Sequence, residues 1–138
     1  MAEGAGSLGA LSDRLRADVA VGSIAPGATV AVAVAGQAPV LAALASQGDG
    51  AMVLAVAPTT IDAERLARDL ECFLGSSTAG AVGAMDGPVV SLPAWDTLPF
   101  ERVSPEIAAM GARHAARWRV AEGARPRVVV ASVRALMQ

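Results

Sequence analysis

The 138 residues contain no lysine and no tyrosine, one cysteine, one histidine and only 3% aromatic residues. Each scarcity closes a chemical route. Without lysine there is no ammonium to grip the phosphates of a nucleotide and no amine for a Schiff base. A single thiol, Cys72, cannot form an internal disulfide, which fits a reducing cytoplasm. Its expected place is in the core, as a small apolar residue. His114 has no second histidine and no clustered cysteines at ligand spacing, so no zinc site is expected. It is expected as a partly buried structural histidine. No G-x-S-x-G elbow occurs. The longest apolar run, residues 28–35, is too short to span a bilayer. No basic region precedes an apolar run, so no signal peptide is read and no membrane partner is expected. The net charge of -2 leaves no electrostatic footprint for nucleic acid.

What remains is rich in alanine and valine, which account for much of the 54% hydrophobic content. All 11 basic residues are arginine. Residues 1–7 are small and are expected to fray. Leu8, Leu11, Leu15 and Val19 recur at helical spacing, predicting one helix over residues 8–19. Residues 21–27 hold Gly22, Pro26 and Gly27 and read as a turn. Residues 29–34 alternate valine with alanine and predict a first strand, buried on both faces. Residues 35–39 then read as a loop leading into a helix through Leu41 and Leu44. This is where a phosphate-binding loop would sit. Such a loop needs several glycines, a lysine and a hydroxyl. Here there is Gly36, then Pro39, and neither of the others. No cofactor is expected in this chain.

Residues 51–57 predict a second buried strand. Thr59 or Thr60 then caps a helix with the apolar stripe Ile61, Leu66, Leu70, Phe73 and Leu74, stopped by Gly75. After a small-residue loop over 76–87, residues 88–92 predict a third strand. A helix from Pro105 to about Ala121 places Ile107, Met110, Gly111, His114 and Trp118 on one face. Arg113 and Arg117 are i,i+4 neighbours on another, a candidate contact for a partner or for DNA. Residues 127–131 predict a fourth strand, and Ser132 starts a further helix. Strands alternating with helices predict an α/β fold: a parallel sheet of about four strands with crossover helices.

Between the third strand and the next helix lies V-V-S-L-P-A-W-D-T-L-P-F-E-R-V-S-P, residues 89–105. Pro93, Pro99 and Pro105 deny it helix and strand alike. Trp95, Leu98 and Phe100 are too apolar for a solvated loop. The segment reads as an ordered connector with Trp95 and Leu98 buried as anchors. Asp96 and Glu101 read as capping or solvated acids. Ser104-Pro105-Glu106 reads as a helix start, with serine as cap and proline in the first turn.

This connector resembles the "W-E-T-L-P" segment, followed by "S-P" and a helix, in the N-terminal region of bacterial transcription-repair coupling factors (Mfd). Leu92, Pro93, Trp95, Asp96, Leu98, Pro99, Ser104 and Pro105 carry the likeness, with Asp96 in place of the commoner glutamate. R-V-V-V-A-S-V-R-A-L-M-Q, residues 127–138, is similar to the same family's "VVV-x-x-V-x-x-L-x-Q". The likeness spans roughly residues 51–138.

It implies a first subdomain over residues 8–138, similar to the repair helicase UvrB and of P-loop-NTPase type, without a working phosphate loop. The chain would be an incomplete domain truncated at its C-terminal end, finished by the remainder of its own polypeptide. The full-length parent would be an ATP-dependent DNA translocase using ATP and Mg. It would act on DNA, release stalled RNA polymerase and recruit UvrA for excision repair, through segments outside these residues. Two other readings stay open: the N-terminal part of a UvrB-type helicase subunit, and a small Rossmann or flavodoxin-like enzyme domain.

Overall fold

A computed structural model describes residues 8–47, 51–75, 87–97, 100, 102, 104–121 and 125–138. The expected frayed segment, residues 1–7, lies outside them. In chain order the elements are α1 (Gly9–Arg16), α2 (Val19–Gly22), α3 (Val34–Ala45), β1 (Val53–Ala57), α4 (Thr60–Leu74), β2 (Val89–Leu92), α5 (Ile107–Ala121), β3 (Val128–Ser132) and α6 (Val133–Leu136). The architecture is α/β, with a three-stranded parallel sheet in the order β1-β3-β2.

Strand β3 sits in the middle, and all five of its residues are buried. That is why it reads V-V-V-A-S without alternation: both faces are covered. On one face Val128 and Val130 meet Ala55, Ala57 and Val89 under α3 and α4. On the other, Val129 and Val90 meet Ala116 of α5, with Leu92 alongside.

Helix α4 is specified at both ends. Thr59 accepts the Asp62 amide at 3.1 Å and donates to the Asp62 carboxylate at 2.7 Å. Gly75 closes the helix in the left-handed region at φ 72°, where a Cβ would be strained. Of the expected stripe, Leu70 is fully buried and Leu66, Phe73 and Leu74 pack at the margin, while Ile61 is exposed. Alanines 63 and 67 are buried beside Leu70.

Four expectations fail. Residues 29–33 form no strand, and Val34 already belongs to α3. A strand needs a hydrogen-bonded neighbour as well as β-branched side chains. Here a cleft of about 600 Å³ separates Val30, Val32 and Val34 from Leu54, Ala55, Val56 and Ala57 of β1. The valines are in place, but no strand within reach can accept them. The sheet therefore has three strands rather than about four.

The expected loop over 35–39 is instead the first turn and a half of α3. Pro39 is buried inside the helix. It has no N–H to offer the Ala35 carbonyl, so the helix runs with one bond fewer. Gly36 is required there for closeness: a Cβ would stand 2.8 Å from Cγ1 of Val32.

The N-terminal helix is broken in two. Asp18 takes an extended conformation and accepts the Ala20 amide at 2.8 Å, capping α2 after α1 has ended. The buried residues here are Ser12 and Val21, whereas Leu8, Leu11 and Val19 are exposed.

Finally, β1 is not buried throughout. Ala55 and Ala57 point into the core, but Leu54 and Val56 are 52% and 48% exposed on the opposite face. That face is covered by α5 only over β2 and β3.

Candidate functional site

Two of the described connector residues, Pro93 and Trp95, meet one arginine of α5, whereas Phe100, expected to be packed for its apolarity, is 95% exposed. Arg113 Nη1 donates to the Pro93 carbonyl at 2.6 Å and to the Ala135 carbonyl of α6 at 3.3 Å. Its guanidinium carbon lies 4.8 Å from the centroid of the Trp95 ring. A flat cation against an aromatic face is worth about 0.5–2 kcal/mol, more as water is excluded. The Trp95 amide donates to Oε1 of Gln138 at 2.8 Å. The connector is thus pinned by α5 on one side and by residues at and beyond α6 on the other.

The start of α5 is set from the connector as well. Both oxygens of Asp96 lie within hydrogen-bond range of the Glu106 amide, at 3.3 and 3.2 Å. Glu106 in turn accepts from Met110 at 3.0 Å, which makes it the last residue before the helix proper. Asp96 was expected to cap or to be solvated, and it caps. The helix opens two residues later than expected, at Ile107, after an exposed Ser104 and a half-buried Pro105. A carboxylate beside a helix N-terminus is favourable for the dipole too.

Leu92 and Pro93 are half-buried at the end of β2, and Trp95 is half-buried rather than enclosed. Leu98, Pro99 and Glu101 lie outside the described residues, so the expected burial of Leu98 falls there also. Arg113 is turned inward, while its i,i+4 neighbour Arg117 is exposed.

Arg119, read from the sequence with Arg113 and Arg117 as part of a solvated helix face or a phosphate contact, is instead 4% exposed on the sheet side of α5. Its Nη2 donates to the Gly87 carbonyl and its Nη1 to the Val89 carbonyl at 3.5 Å. The signal was position: Arg119 lies one turn from Ala116, on the face opposite the bulky stripe.

That stripe is the site's main reversal. Ile107 is 86% exposed, and Met110, His114 and Trp118 also face solvent. Helix α5 presents Ala116 and Arg119 to the sheet, because small side chains permit close approach. His114 is therefore exposed, not partly buried. Cys72 is exposed on α4 and not a core residue. Among the described residues no cluster of three or more His, Cys, Asp or Glu is placed to hold a metal ion. Among the same residues no helix is long and apolar enough to cross a membrane.

No protein-family model matches the chain. Among curated proteins, 75 residues covering 54% of the chain are 41% identical to the transcription-repair-coupling factor of Myxococcus xanthus. A stretch of 105 residues, 72% of the chain, is 37% identical to the transcription-repair-coupling factors of Mycobacterium tuberculosis and Mycobacterium bovis. The chain is homologous to a segment of transcription-repair-coupling factors. It spans 6% of the length of the first of these relatives and 7% of the other two.

Within this coupling-factor-like segment, the two stretches that carried the resemblance touch. Trp95 and Pro93 come from the first, Ala135 and Gln138 from the second, and Arg113 ties them. Trp95→Ala is expected to cost about 2 kcal/mol, less than for an enclosed tryptophan, because the residue is only partly buried. Urea unfolding of both proteins measures it. A change near zero would mark Trp95 as a surface contact for a partner instead of an anchor.

Proposed function

We propose that this chain is the UvrB-like N-terminal subdomain of a transcription-repair coupling factor, serving there as a structural and interaction module. The observation that carries the reading is the Arg113 junction, which joins two motifs separated in sequence and shared with that family. The parent polypeptide would be an ATP-dependent DNA translocase that displaces stalled RNA polymerase and recruits UvrA. Those activities, and the ATP and Mg they use, would belong to other segments. The fold relation to P-loop NTPases rests on the order of strands and helices and on the family likeness.

The junction after residue 33 supports a module without its own nucleotide site. The Gly36 amide, which a phosphate loop would aim at its ligand, donates to the Ala33 carbonyl at 2.8 Å. Calorimetric titration of the chain with Mg-ATP is expected to give no binding heat. Micromolar affinity would overturn this and favour the UvrB-type helicase reading. The parent reading is tested in the native host with an antibody against these residues. It should detect a polypeptide many times longer than 138 residues. A band at this chain's own mass would sink it.

A further inference from the structure

We infer that Arg113 and Arg119 close the outer edge of β2 against the addition of another strand. The inference does not depend on the parent reading. Among the described residues, strand β2 pairs with β3 on one side only. The Pro88 carbonyl accepts the Arg127 and Val128 amides, so Pro88 faces β3. Backbone groups alternate sides along a strand, so Val90 and Leu92 face β3 too. Gly87, Val89, Ser91 and Pro93 face outward.

An incoming strand would need the outward carbonyls as acceptors and the outward amides as donors. The carbonyls of Gly87 and Val89 already accept from Arg119, and that of Pro93 from Arg113. Proline removes the outward amide at position 93. What is left for pairing is Ser91 and the amides of Gly87 and Val89. The closure is not made by bulk. A groove of about 670 Å³ runs along this edge between α4 and α5, lined in part by Val89, Val90, Ser91 and Ala116. An extended chain entering it would have to break charge-assisted hydrogen bonds from both guanidinium groups to the strand.

Strand β1 has no such guard. Val53 donates to the Arg127 carbonyl, so Leu54 and Val56 face outward, and no strand pairs with that edge among the described residues. The two ends of the sheet therefore differ: β2 is terminated and β1 is open.

The test follows amide exchange at Val89 and Ser91 by NMR, in dilute and in concentrated protein. In the native chain both rates are expected to be the same at the two concentrations. In Arg113→Met/Arg119→Met both are expected to slow by about tenfold or more on concentration, as copies pair through β2. Protection of the Val130 amide in the centre of β3 reports that the variant is folded. If it is not, Arg113→Met alone carries the test at Ser91, since that side chain is only half-buried at the groove's end. Native amides that slow on concentration, or unchanged amides in a folded variant, would overturn the closure.

Discussion

A polypeptide extended through the segment that completes the β1 edge is expected to melt sharply as a monomer, while residues 1–138 alone aggregate on heating. The expectation follows from the proposed parent. Leu54 and Val56 lie on a bare face beside an unpaired edge, and Val30 and Val34 line the far wall of the cleft next to them. Fully burying a side chain of this size is worth about 1.5–3 kcal/mol. Several together rival the roughly 5–15 kcal/mol that holds an ordinary domain folded. An unguarded edge beside exposed apolar surface also offers a template for other copies. Thermal melts with light scattering on both lengths decide the matter. A sharp monomeric transition for the short chain, unchanged in the longer one, would show that these residues need no completion.

Leu70→Ala is expected to destabilise the fold by about 2–5 kcal/mol. Leu70 is completely buried, between α4 and the face of β3 that carries Val128 and Val130. Its surroundings are mostly alanine: 42, 45, 55, 57, 63 and 67. Alanines cannot reach into a void, so relaxation toward it would fall to larger side chains at the margin such as Leu66, Phe73 and Leu74, and a cavity term adds to the lost burial. Ile61→Ala, on the same helix but exposed, is expected to stay within about 0.5 kcal/mol. The comparison uses urea midpoints for the two variants. Equal losses would mean that α4 packs through a different face.

The features legible in the sequence were those decided locally. The Thr59 cap, the Gly75 stop and the unalternating run of β3 each follow from the residue's own chemistry, and each stands where expected. Of the connector, the described part from Pro93 to Asp96 is held by hydrogen bonds as expected, while Phe100 is exposed. Features that depend on a neighbour were not legible. Residues 29–34 have strand chemistry, but strand formation is settled by what lies across the cleft. Helix α5 has a bulky apolar face, yet close packing on the sheet selected the face of Ala116 and Arg119. His114 and Cys72 followed their helices outward. Periodicity indicates that a helix has two faces; it does not say which of them a thin, small-residue sheet will take. In the candidate site, Trp95 and Asp96 could be singled out by type. The arginine that organises them could be listed only as one cation among several.

The central position of β3 also has a mechanical meaning. Force applied at Gln138 first meets the bond between its side chain and the Trp95 amide. Next come α6 and the bond from Arg113 to the Ala135 carbonyl, and only then β3, held between two parallel neighbours. Hydrogen bonds perpendicular to a pull are loaded together, and β3 carries such bonds on both of its sides. A pull along the strand would have to shear both ladders together, which makes β3 the strand of this sheet best suited to bear tension.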